Sequence, residues 1–180
     1  IEFQIDSGTS GLVPCGTTGE SATLAHDEHD WVVELSVKAA KSRVSVIAGS
    51  GSNNTKEAIR LTKHAENVGA DAALVISPYY NKPMQEGIYQ HFKAIHDATN
   101  IPIILYNVPG RTIVDISDDT IKRLLDLPRI AGIKDATGNL ERPPVLQKML
   151  VDKDRKGFSM LTGEDGNAVE FNKLGGLGAI

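Results

Sequence analysis

Lys134 stands at the end of the apolar run Ile130-Ala131-Gly132-Ile133. A lysine at that place either carries its ammonium past the strand end into water or keeps it in an apolar pocket. Only the second arrangement has chemical consequences. With an ordinary pKa near 10.4, roughly 0.04% of a lysine is neutral at pH 7. Desolvation that brings the pKa to ~7–8 raises the amine fraction by several hundred-fold, enough to form a Schiff base with a carbonyl. Tyr106 ends the preceding run, Ile103-Ile104-Leu105. It is either a core aromatic with its hydroxyl at the rim or a proton shuttle for a carbinolamine losing water. Thr17 and Thr18 lie in the turn Gly16-Thr17-Thr18-Gly19. A Gly-flanked turn accounts for them, and so does a carboxylate held by two hydroxyls and successive N–H groups. Arg111, just past Pro109-Gly110, is a solvated loop arginine or a bidentate receiver of a second carboxylate.

Other chemistries find less support. His26 and His29 can share a helix face, but Asp27, Glu28 and Asp30 around them read as an ordinary acidic first turn. No further cluster supplies the ligands a metal needs. Cys15 lies at the end of an apolar strand and reads as a small core filler. Neither a Gly-x-Ser-x-Gly elbow nor a phosphate-cradling Gly-Lys-Ser/Thr turn is present.

Seven short apolar runs position these residues: Gly11–Val13, Val44–Ala48, Ala72–Ile76, Pro102–Tyr106, Ile130–Lys134, Phe158–Leu161 and Gly178–Ile180. They are nearly continuous, as in strands buried on both faces of a parallel sheet. Helical stripes alternate with them: Trp31, Leu35 and Ala39; Ala58, Leu61, Ala65 and Val68; Ile88, Phe92 and Ile95. Asn54 or Thr55 and Ser117 are expected N-caps, Gly69 and Asn100 left-handed helix ends. A further helix is expected over Gly166–Leu174, and Pro143-Pro144 is expected to delay the start of another. Strand ends near Gly16, Gly49, Ser77, Tyr106, Lys134 and Gly163 recur at steps of about 30 residues, the length of a βα unit. So even a step fits a (β/α)8 TIM barrel better than an open doubly wound sheet, which would announce a Gly-rich phosphate turn after its first strand. Barrels need about 250 residues. The 180 residues are therefore expected to form one partial barrel domain, lacking the first strand and the part after the start of the eighth. A chain that opens on Ile1 and stops at Gly178-Ala179-Ile180 agrees with that. In a barrel, polar strand-end residues face the mouth, which selects Thr17, Thr18, Tyr79, Tyr80, Tyr106, Asn107, Lys134, Asp135, Gly163 and Glu164.

Charge and composition exclude some partners. There are 19 Lys+Arg against 23 Asp+Glu, a net charge of −4, which argues against a nucleic-acid groove or an electrostatic membrane anchor. The apolar runs are too short to span a bilayer, and no signal peptide is visible. A single cysteine excludes an intrachain disulfide and points to a reducing, cytoplasmic compartment.

Four motifs together resemble a known family. Gly16-Thr17-Thr18-Gly19-Glu20, Ser77-Pro78-Tyr79-Tyr80-Asn81-Lys82-Pro83, Tyr106-Asn107-Val108-Pro109-Gly110-Arg111-Thr112 and Gly132-Ile133-Lys134-Asp135-Ala136-Thr137-Gly138 are similar, in order and spacing, to the dihydrodipicolinate synthases. These belong to the class I aldolase group that includes N-acetylneuraminate lyase. The resemblance implies a lyase that condenses pyruvate with L-aspartate 4-semialdehyde to 4-hydroxy-tetrahydrodipicolinate in lysine (diaminopimelate) biosynthesis. It implies the imine at Lys134, a relay of Tyr106, Thr17 and Tyr80, with Tyr80 entering a neighbouring protomer's site, and pyruvate carboxylate binding at Thr18. It places Arg111 on the semialdehyde carboxylate, with Gly163 and the Ile180 carbonyl beside the lysine. No metal or other cofactor is implied, because the imine is itself the electron sink. Allosteric inhibition by lysine is implied at Ser21, Ala22, His26, His29, Asn53, Glu57 and Tyr79, and the assembly is implied to be a homotetramer built from tight dimers. The resemblance revises His26 and His29 from a plain helix face to an effector role. Two other readings compete: a sister aldolase acting on another 2-keto acid, from which Arg111 and the Thr17-Thr18 pair discriminate, and an inactive barrel piece or lysine-binding module.

Overall fold

The computed structural model describes residues 1–180 and places a strand on each of the seven apolar runs. The strands are β1 (Gly11–Leu12), β2 (Ser45–Gly49), β3 (Ala72–Ile76), β4 (Ile103–Asn107), β5 (Ile130–Asp135), β6 (Ser159–Thr162) and β7 (Gly178–Ala179). All neighbours pair in parallel, and their order in the sheet is their order in the chain. The helices are α1 (Glu2–Asp6), α2 (His26–Ala40), α3 (Thr55–Asn67), α4 (Gln85–Ala98), α5 (Pro109–Thr112), α6 (Asp118–Leu124), α7 (Arg142–Asp152) and α8 (Ala168–Lys173). The result is an open, curved parallel sheet with the α/β succession of a TIM barrel.

Alternation along the strands divides the apolar residues between two faces. Ala73, Val75, Ile103, Leu105 and Ile133 join the main core, packed against Ile88, Phe92 and Ile95 of α4 and Ile121 and Leu124 of α6. The other set, Ala72, Leu74, Ile104 and Tyr106, forms a small cluster on the inner face. Tyr106 pairs in register with Lys134, so the lysine also enters from the inner face, and the next pair, Asn107 and Asp135, turns the other way.

The local signals work largely as expected. Asn54 caps α3 by accepting the Lys56 N–H, and the Ser117 hydroxyl accepts from Thr120 N at the start of α6. Gly69, at φ +86°, ends α3 in the left-handed region. Three expectations are corrected. The buried face of α2 is His29, Val33, Ser36 and Ala40, while Trp31 is 61% and Leu35 41% exposed. The helix is apolar on both sides, and the neighbouring strand selects the face with the smaller side chains. Asn100 is not a left-handed helix end: Thr99 closes α4 in an extended conformation, its hydroxyl bonded to the Ile95 carbonyl. Pro143 and Pro144 lie within the first turn of α7 rather than ahead of it, where the missing N–H groups have no intrahelical partner to lose.

Candidate active site

β5 delivers Lys134 to the inner face with the residue only 9% exposed. Its Nζ lies 4.5 Å from the centroid of the Tyr106 ring, over the aromatic face. No carboxylate pairs with it. Burial therefore acts against the ammonium with little compensation, and it pulls the lysine pKa below its ordinary value. Space for the chain is made by Gly163, just past β6. A Cβ there would stand 2.9 Å from Lys134 Cε and 2.8 Å from Ala136 Cβ, so the lysine rests against bare backbone. Ile180 follows β7 and donates its N–H to the Thr162 carbonyl at 2.9 Å, level with Gly163.

In front of Tyr106 lies a cavity of about 380 Å³. Its wall includes Thr17, Tyr106 and Arg111 together with Ser21, Ala22, His26, His29, Glu57 and Tyr79. Two sets of residues assigned separately from the sequence thus share one space. Gly49 lets the β1 and β2 ends close the back wall, since a Cβ there would fall 1.9 Å from the Cys15 carbonyl oxygen. Arg111, on the short helix α5, reaches the cavity without an ion-pair partner of its own. The turn 16–20 is held by Glu20 N donating to the Thr17 carbonyl, which leaves both threonines exposed. Thr17 is on the cavity wall; Thr18, Lys134, Gly163, Ile180, Asn53 and Tyr80 are not.

The three hydroxyls assigned to a relay are not hydrogen-bonded to one another. Tyr80 is 89% exposed and its backbone has φ +72°, an unfavourable value for a bulky residue. It does not line this chain's own cavity.

On the effector side, Glu57 accepts from Ser52 Oγ and bonds His26 Nε2 at 2.6 Å. Those two contacts, Ser52 first, hold its carboxyl below the usual range despite partial burial. Asn53 donates from Nδ2 to the Tyr79 carbonyl at 3.1 Å, joining the β2 and β3 loops. His29 is 4% exposed, and burial lowers its pKa against the opposing pull of Asp30. His26 and His29 therefore have different environments on the wall of one cavity. Cys15 is buried, and desolvation pushes its thiol up to about 11, so it is a protonated core residue at neutral pH.

Sequence reasoning missed several supports. Ser52, 1% exposed, anchors Glu57 five residues on, and its only signal is a Ser following Gly51 in a glycine-rich turn. Behind the β4 and β5 ends the buried Arg142 pairs with the half-exposed Asp115, which accepts from Asn107; Asn107 was expected at the barrel mouth but lies on the helix side of the sheet. Their numbers are too far apart for spacing to link them.

The chain matches the sequence profile of the dihydrodipicolinate synthetase family over residues 1–180. It belongs to that family. Among its relatives in the family, the 4-hydroxy-tetrahydrodipicolinate synthase of Pelagibacter ubique is 60% identical over all of this chain and 60% of its own length. Of solved dihydrodipicolinate synthase structures, that from Methylacidiphilum fumariolicum superposes with a TM-score of 0.95 at 46% identity, covering 99% of this chain and 59% of that one. The chloride-inhibited enzyme of Acinetobacter baumannii, complexed with pyruvate, gives 0.94 at 50% identity over 99% and 60%. The enzyme of Cyanidioschyzon merolae with lysine bound gives 0.92 at 37% identity over 99% and 59%. The chain thus spans about 60% of the length of the family members it matches. No helix is long and apolar enough to cross a membrane.

Proposed function

We propose that the protein to which this chain belongs condenses pyruvate with L-aspartate 4-semialdehyde through an imine on Lys134, giving 4-hydroxy-tetrahydrodipicolinate for lysine biosynthesis. The observation that carries the proposal is Lys134 itself: a buried ammonium with no counter-ion, on the inner face, against Tyr106. A lysine kept only for stability would be costly there, whereas a nucleophile profits from the lowered pKa.

The chemistry follows from that amine. Neutral Lys134 attacks C2 of pyruvate, the carbinolamine loses water, and loss of a C3 proton gives an enamine. The enamine carbon forms the new bond to the aldehyde carbon, and the aldehyde oxygen takes up a proton. The semialdehyde's own amine then closes on C2 and releases Lys134. Tyr106 is placed to move protons at the nitrogen. Thr17 and a Tyr80 from a neighbouring protomer complete the relay, an arrangement supported by the exposure of Tyr80 and its unfavourable backbone φ. Thr18 and the turn N–H groups receive the pyruvate carboxylate; the unpaired Arg111 receives that of the semialdehyde. Gly163 and the Ile180 carbonyl flank the imine. Electrons are held by the imine, so no further cofactor enters.

The second set, Ser21, Ala22, His26, His29, Asn53, Glu57 and Tyr79, forms an effector site for lysine, with Glu57 facing the ammonium. The complex of a relative with lysine supports this assignment. Residues 1–180 form part of a single (β/α)8 barrel domain, working as a cytoplasmic homotetramer.

The deciding experiment is borohydride reduction of the complete protein with pyruvate, followed by peptide mapping. A stable adduct at Lys134 is expected. Labelling at another lysine, or none, removes the mechanism.

A further inference from the structure

Arg142 opens α7 with its guanidinium nearly out of solvent, the side chain 9% exposed. A cation at the first helical residue sits at the wrong end of the helix dipole, so its placement must be compensated by nearby carboxylates. Nη1 donates to both oxygens of Asp115, at 2.8 and 2.9 Å. Nη2 donates to the Ile116 carbonyl at 2.7 Å and lies 3.6 Å from Asp118. Nε stands 3.1 Å from Asp135 Oδ2, an ion pair without the alignment of a hydrogen bond. Asp115 Oδ1 also accepts from Asn107 Nδ2 at 2.7 Å, and Asn107 Oδ1 accepts from Ile116 N at 3.1 Å. The other oxygen of Asp135 accepts from Thr137 N at 2.8 Å.

The place of this cluster in the fold gives it its meaning. Asn107 and Asp135 pair in register as the last residues of β4 and β5, one step beyond the Tyr106–Lys134 pair. Alternation turns their side chains to the helix side of the sheet, where Arg142 meets Asp135 directly and Asn107 through Asp115. Asp115 and Ile116 lie in the connection between α5, which carries Arg111, and α6. One planar fork therefore ties α7, two strand ends and that connection together from behind.

We propose that Arg142 is a positioning residue for the imine chemistry: by clamping Asp135 and Asp115 it fixes the backbone that aims Lys134, Tyr106 and Arg111. The inference rests on the Schiff-base reading of Lys134 given above. Only a guanidinium can serve all these partners, because its five donors are fixed in one plane. A lysine supplies the charge at a single point and leaves some of the acceptors unmet. Burial pushes the Asp135 carboxyl up and Arg142 opposes that, so loosening Arg142 removes a charge that steadies Asp135 in place.

The test is Arg142→Lys in the complete protein, with thermal unfolding, KM for pyruvate, kcat and borohydride trapping at Lys134 measured together. The variant should unfold cooperatively and lose ~10- to 100-fold in kcat, as expected for a displacement of about 1 Å at the reacting groups. KM for pyruvate should change by less than ~3-fold, because the carboxylate-binding turn after β1 does not touch the clamp. A folded variant with wild-type kcat, or a loss matching only its unfolded fraction, overturns the inference. If Arg142→Lys does not fold, Asp115→Asn takes its place under the same criteria. Absence of a wild-type adduct at Lys134 would remove the Schiff-base reading and this inference with it. A normal adduct in the wild type with an unimpaired variant removes this inference alone.

Discussion

Alanine at position 163 would bring a methyl carbon to 2.9 Å from Lys134 Cε and 2.8 Å from Ala136 Cβ. Both approaches are closer than carbon atoms tolerate, and the lysine chain is the softer of the two neighbours. Gly163→Ala should therefore displace the ammonium more than it destabilises the fold. We expect a stability loss of ~1–3 kcal/mol by thermal unfolding, with imine formation slowed by roughly tenfold or more in the trapping assay. Wild-type trapping in a folded variant would show that the lysine has more room than its contacts indicate. At this scale the sequence was a good guide to position: Lys134 and Tyr106 lie in register on β5 and β4 as their apolar runs suggest, and Arg111 follows the β4 end on α5. It was a poor guide to what supports them. The Asp115–Arg142 pair spans 27 positions, and no periodicity connects them. Ser52 beneath Glu57 looks like any serine in a glycine-rich turn.

Among the elements, α3 and α4 meet through a buried histidine. His91 of α4 is 4% exposed, and its Nδ1 lies 2.9 Å from the Thr55 hydroxyl at the start of α3. Burial pushes its pKa down from 6.5 to about 4. The sign of the linkage follows. Between those values the unfolded chain takes up a proton that the folded chain refuses, so stability falls as pH drops from about 6.5 toward 4. The total loss is on the order of 3 kcal/mol. His91→Asn should start from a lower Tm and show a flatter Tm–pH curve between pH 7 and 4.5. An undiminished slope would assign the effect to another group. Elements were legible where the apolar pattern was unambiguous, as in every strand and in α3 and α4. The face of α2 was not, because Trp31-Val32-Val33 and Leu35 offer apolar stripes in several directions. Packing against β2 settles it in favour of Val33, Ser36 and Ala40, with the Ser36 hydroxyl satisfied by the Val32 carbonyl.

Across the whole molecule, one cavity is walled by Thr17, Tyr106 and Arg111 and by Ser21, His26, Glu57 and Tyr79. A lysine molecule at the second group would exchange the His26–Glu57 contact for one from its own ammonium. Glu57→Gln should then weaken lysine binding to the complete protein by ~10-fold or more, the cost of one charge-assisted contact, measured by calorimetry. An unchanged Kd would move the effector elsewhere. The sheet order has a consequence of a different kind. Every strand is hydrogen-bonded only to its neighbours in the chain. A ribosome adding ~5–20 residues each second releases a unit of about 30 residues every few seconds. Each new strand of this sheet thus emerges beside an edge already made, and none of β2 to β7 must wait for a partner still to be translated.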